Sequence, residues 1–234
     1  MHIKTILRIL GSLLMLLSAV MAGCAGVALF FGGYDFFAFL ASALITVLAG
    51  LWLLYFGRGG EKKYSRRDSY LTITLSWLMF ALVGTLPLLL SGLITNFTDA
   101  FFESMSAFTT TGCTVINDTE AIPRATLLWR CLSQWLGGLG IVFFTVAVLP
   151  VFGFSGVQLF AAEATGYAKK KANPRVAITA RWILTVYVSL TVLCAISLWA
   201  CGMHLFEAVC HGLTTVSTGG FSTRNESIAA FHSI

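Results

Sequence analysis

The chain has 234 residues, of which 57% are hydrophobic and only 11% charged, with a mean hydropathy of +0.85. Soluble domains carry about 25% charged residues, so the composition excludes a water-soluble globule, and with it a disordered chain or a disulfide-stapled secreted module. The net charge of +5 sits between apolar runs rather than along one face, which points to a lipid bilayer as partner and not to nucleic acid.

In chain order, five apolar runs reach the roughly 20 residues needed to cross the hydrocarbon core: 7–31, 36–56, 70–92, 125–151 and 180–202. The first is too long for a signal-peptide core and has no small-residue cleavage site after it, so it reads as a retained span. Pro87 stands near the end of the third, where a bend is tolerated. The short loops sort by charge. Lys4 and Arg8 precede the first span, and Arg58, Lys62, Lys63, Arg66 and Arg67 follow the second. Lys169, Lys170, Lys171, Arg175 and Arg181 lie between the fourth and fifth. Placing these on the cytoplasmic side puts twelve of the fifteen basic residues inside. Asp35, Asp99, Glu103, Asp118, Glu120, Glu207 and Glu226 then fall outside, and the N-terminus is cytoplasmic. None of the six cysteines forms a C-x-x-C pair, so buried thiols are expected rather than a zinc or redox site.

Two segments expected outside the membrane do not fit a plain bundle. Each opens with an apolar stretch too short to span, 99–108 and 205–213, and runs into small hydroxylated residues and glycine. The first continues Thr109-Thr110-Thr111-Gly112-Cys113-Thr114, the second Val216-Ser217-Thr218-Gly219-Gly220-Phe221-Ser222. A short helix followed by a polar strand has the form of a re-entrant pore loop, since non-helical backbone at membrane depth must line a cavity or be buried in protein. The two copies form an internal repeat of about 107 residues. Thr110-Thr111-Gly112 then pairs with Ser217-Thr218-Gly219; a shift of one pairs Gly112 with Gly220 instead, so both glycines are retained. Such strands suit a partly dehydrated cation like K⁺, because backbone carbonyls replace its water without a fixed charge that would trap it. The short helices would turn the negative ends of their dipoles toward it.

The sequence resembles the membrane subunit of Trk-type potassium uptake systems, in the Trk/Ktr/HKT superfamily. The residues that carry the likeness are Asp99-Ala100-Phe101-Phe102-Glu103-Ser104 leading to Thr109–Gly112, and Gln134-Trp135-Leu136-Gly137-Gly138-Leu139-Gly140-Ile141. Leu149-Pro150 through Gln158-Leu159 and Val216 through Thr223 add to it. The resemblance implies an all-α polytopic membrane protein built from span–pore-helix–span repeats around one pore, with re-entrant selectivity-filter loops and an extra pair of spans in front. Residues 1–68 would be that pair with its cytoplasmic loop, 69–152 the first unit, 153–179 a cytoplasmic loop, and 180–234 an incomplete second unit. It implies potassium uptake across a bacterial inner membrane, by channel flow or symport, with Thr110, Thr111, Gly112, Ser217, Thr218, Gly219 and Gly220 as filter residues. K⁺ would be the transported ion, with no tightly bound cofactor. Expected partners are a cytosolic nucleotide-binding regulatory subunit and, for the full-length protein, a second copy. The family has four units and this chain stops within the second, so a fragment is expected; the alternative is a truncated non-transporting membrane protein or assembly partner.

Arg130, about two turns into the fourth span, costs roughly 2.5–3.5 kcal/mol at a bilayer centre and should face protein. Gln134 lies one turn further on, so both are expected to support the pore, beside glycines that permit close helix approach. His204 and His211 flank the second short helix and have no paired ligand in sequence. The sequons at Asn96, Asn117 and Asn225 read as chance. Lys169–Lys171 reads as an orientation signal. No Walker motif, nucleophile elbow, paired catalytic carboxylate or HExxH occurs, so an enzyme is not expected.

Overall fold

In hydrocarbon, a helix satisfies its own backbone, and the apolar runs fold accordingly. The structure, a computed structural model, describes residues 2–59, 66–148 and 173–231. Its helices are α1 (Ile3–Phe31), α2 (Phe36–Phe56), α3 (Arg66–Leu90), α4 (Phe97–Phe108), α5 (Arg124–Val148), α6 (Asn173–Ala200) and α7 (Leu205–Val216), followed by a 3₁₀ turn over Ser227–Ala230. No strand occurs among the described residues. Lys62, Lys63, Lys169–Lys171, the similar segment 149–159 and most of the expected loop 153–179 lie outside them.

α1 and α2 form a hairpin around Gly32–Asp35. Their backbones touch where glycine faces glycine: a Cβ on Gly11 would lie 2.9 Å from the Gly50 carbonyl oxygen, and one on Gly50 3.2 Å from that of Gly11. Packing of this kind replaces the hydrophobic drive that lipid does not supply. The hairpin's inner face, with Leu17, Met21, Cys24, Phe39 and Ala43, closes on Phe108 of α4 and Trp129 of α5 in one core cluster. Asp35, fully buried, accepts from the Thr126 backbone N–H at 3.1 Å and the Thr126 hydroxyl at 2.9 Å. A carboxylate thus sits on the first turn of α5, where the helix dipole favours it.

Pro87 lies inside α3 and does not end it; the helix runs on to Leu90. Four helices, α1, α2, α3 and α6, are long and apolar enough to cross a membrane. α5, the expected fourth span, is a helix of 25 residues whose first half carries a buried polar stripe of Arg130, Ser133 and Gln134. Its neighbours, rather than lipid, receive that polar stripe. α6 turns Trp182, Leu190, Leu193, Ile196 and Trp199 outward. Cys24, Cys131 and Cys210 are buried as expected, whereas Cys113 and Cys201 are exposed, since both lie in turns beyond helix ends.

Candidate functional site

α4 and α7 start and stop 108 residues apart, and the loops after them repeat bond for bond. Thr109 N–H donates to Met105 O at 2.9 Å, as Ser217 does to Leu213 at 3.3 Å. Thr111 N–H donates to Ser106 O at 2.9 Å, as Gly219 does to Thr214 at 2.8 Å. Thr110 and Thr218 are left-handed at φ 55° and 56°, and Gly112 and Gly220 at 78° and 82°. The repeat is therefore 108 residues, and the first-choice register gives way to the shifted one: Thr110 matches Thr218 and Gly112 matches Gly220. The Thr-Gly spelling misleads because Gly219 occupies the station of Thr111, where φ is not left-handed. A β-branched residue in this region costs about 1–3 kcal/mol, and the cost recurs at matching stations. Among the described residues, no group donates a hydrogen bond to the carbonyl oxygens of Thr110, Thr111, Gly112, Thr218 or Gly220.

α5 seats both loops. A Cβ on Gly137 would collide with the Phe108 carbonyl, at the end of α4, and one on Gly138 would lie 3.0 Å from Cβ of Ser217, at the end of α7. Trp135 donates from its indole N–H to Thr191 Oγ1 at 2.9 Å, and its carbonyl accepts from the Tyr187 hydroxyl at 3.0 Å, so the same turn also fixes α6. The Gln-Trp-Leu-Gly-Gly sequence is thus a hub of three contacts. Gln134, fully buried, donates from Nε2 to the Gly219 carbonyl at 2.9 Å and accepts at Oε1 from the Phe221 N–H at 3.1 Å.

Arg130 is 2% exposed and faces protein, as its burial cost requires. It pairs with Glu103 of α4, Nη2 to Oε1 at 2.8 Å and Nε to Oε1 at 2.9 Å. Thr114 closes the triangle, donating to Glu103 at 3.0 Å and accepting from Nη2 at 3.0 Å. The Val115 N–H adds a further bond to Glu103. The guanidinium also covers the Phe221 ring, Cζ to centroid 4.2 Å, so one side chain of α5 holds the loop after α4 and touches the loop after α7.

At the loops' far ends, Asn225 accepts from the Thr119 N–H at 2.7 Å and hydroxyl at 2.8 Å, and donates to Asp118 at 3.0 Å. That bond, with a second from the Glu120 N–H, holds the Asp118 carboxyl below the usual range. Arg224 pairs with Glu207 at 2.8 Å.

The expected filter and pore-support residues lie around α5. Thr110, Thr111, Gly112, Thr218 and Gly220 form the two exposed or half-buried loop segments, while Ser217 and Gly219 are buried beneath them. Arg130 and Gln134 stand behind. His204 caps α7, whereas His211 lies within it, 3.4 Å from Thr223 Oγ1. Sequence reasoning missed Glu103, Thr114, Phe221 and Asn225. A buried arginine calls for a carboxylate, and the expected short helix offered only Asp99 and Glu103; nothing in sequence pointed to Asn225. No group of three or more metal-ligating side chains occurs among the described residues.

Residues 36–234 match the family profile described as TrkH, cation transport protein. The whole chain is 39% identical to the Trk system potassium uptake protein TrkH of Vibrio parahaemolyticus, covering 48% of it. It is 42% identical to TrkH of Halomonas elongata, covering 49%. Against TrkG of Escherichia coli it is 37% identical over 233 residues, 48% of that protein. The crystal structure of the potassium transporter TrkH from Vibrio parahaemolyticus superposes with a TM-score of 0.86 at 36% identity, covering all of this chain and 47% of that one. The chain spans about half the length of the curated relatives it matches.

Proposed function

Because this chain belongs to the TrkH family of cation transport proteins, we propose that it forms part of the pore-lining membrane subunit of a Trk-type system, which takes up potassium across a bacterial inner membrane. The observation that carries the reading is the matched pair of loops. Each begins at the carbonyl end of a short helix and holds a strained threonine and a left-handed glycine. Together they leave five backbone carbonyls without a partner among the described residues. Carbonyls in that condition favour a cation shedding its water. Two such loops are half of a four-strand ring; the rest would come from further units of the family architecture. The charge distribution favours a cytoplasmic N-terminus, and a nucleotide-binding regulatory subunit would then dock on the cytoplasmic side, near Lys169–Lys171. A homodimer is the assembly expected of the complete protein.

The test is Gly112→Asp and Gly220→Asp in the complete protein. A side chain at Gly112 would drive into the Gly219 carbonyl, and either aspartate would add a charge that holds an ion too tightly to release. Both variants should insert normally and lose selective potassium uptake. Wild-type uptake by either, at wild-type expression, overturns that residue's place in the filter.

A further inference from the structure

Within the filter reading, one carbonyl differs from its neighbours. Gly219 is buried, and its oxygen accepts from Nε2 of Gln134 and occupies the place a Cβ on Gly112 would take. The same amide takes the Phe221 N–H. Gln134 therefore grips the chain on both sides of Gly220, as a neighbouring strand would, and leaves the Gly220 carbonyl free between the two bonds.

We propose that Gln134 is a selectivity-setting positioning residue. It withdraws the Gly219 carbonyl from the ion and fixes Gly220. The helix that does this belongs to the preceding unit, so one repeat tunes the coordination made by the next. Ion preference in such a filter depends on the number and field of the oxygens offered, and releasing Gly219 changes both. The inference rests on the filter reading above.

The test uses the complete protein, with potassium and sodium uptake measured separately at matched expression. Gln134→Met keeps the side chain's volume and removes both hydrogen bonds. Gly219→Ala attacks the contact from the other side: φ at Gly219 is not left-handed, and the added Cβ would run first into the Gln134 amide. Each should lower the potassium-to-sodium uptake ratio by about 3–10-fold, the span of one hydrogen bond. The double variant should be no worse than the poorer single, because both break one contact. Asp35→Asn, which weakens the anchoring of α5 far from the loops, should reduce abundance and leave the ratio unchanged. If Gln134→Met fails to accumulate, Gly219→Ala alone decides. A parental ratio in the accumulating variants, with selective uptake abolished by Gly220→Asp, sinks this inference and spares the filter. Normal uptake by Gly220→Asp removes that residue from the filter, and with it the premise of this inference.

Discussion

Glu103 and Arg130 are both nearly inaccessible, and each is the other's main source of charge compensation. Removing one partner leaves an uncompensated buried charge, at about 3–5 kcal/mol, whereas replacing both with apolar groups of similar size is far less costly. Glu103→Ala should therefore lower the unfolding temperature in detergent sharply, and Glu103→Leu with Arg130→Met should recover most of the loss. If the double variant is as unstable as the single, the pair does more than compensate charge. Asp118 provides a pH test. Its carboxyl is held low chiefly by the Asn225 side chain, so its contribution to stability is full above the ordinary carboxylate pKa near 4 and fades as pH falls through the lowered value. Asn225→Ala removes that bond, and the stability gap between parent and variant should narrow as pH drops below about 4. A gap that widens on acidification would contradict the assignment. At this scale sequence revealed needs rather than partners: Arg130 had to be paired, but its carboxylate lies 27 residues away on another helix, a separation that no local pattern encodes.

At the scale of elements, the apolar runs were legible nearly to their ends because lipid imposes length and hydropathy on them. α5 carries in addition a polar stripe that answers to α4 and to the loop after α7. The loop register was one residue out for a comparable reason: backbone dihedrals, not side-chain spelling, define the repeat, and Gly219 stands where the other copy has threonine. Orientation is testable here. In a cysteine-free background, needed because Cys113 and Cys201 are exposed, a cysteine at Asp118 or Glu226 should label from outside only. One at Arg58 should label from inside only. Cytoplasmic labelling at position 118 would invert the charge-based topology.

For the molecule as a whole, residues 1–234 expressed alone should not restore growth of a potassium-uptake-deficient cell on limiting potassium, with expression confirmed by blot. On the proposed filter reading two loops supply half a ring, and open backbone at membrane depth costs several kcal/mol per unsatisfied group. Robust growth would mean that two loops suffice or that two copies complete each other. The succession of helices was legible from hydropathy, but not the dependence of one repeat on another, which is a matter of packing. That dependence also has a place in time. Gln134 leaves the ribosome 85 residues before the Gly219 carbonyl that its amide will hold. At about 5–20 residues per second, that is a wait of about 4–17 s. Through that interval a polar amide destined for burial stands without its partner, so the nascent helix must remain against water, the insertion machinery or another chain until the second loop arrives.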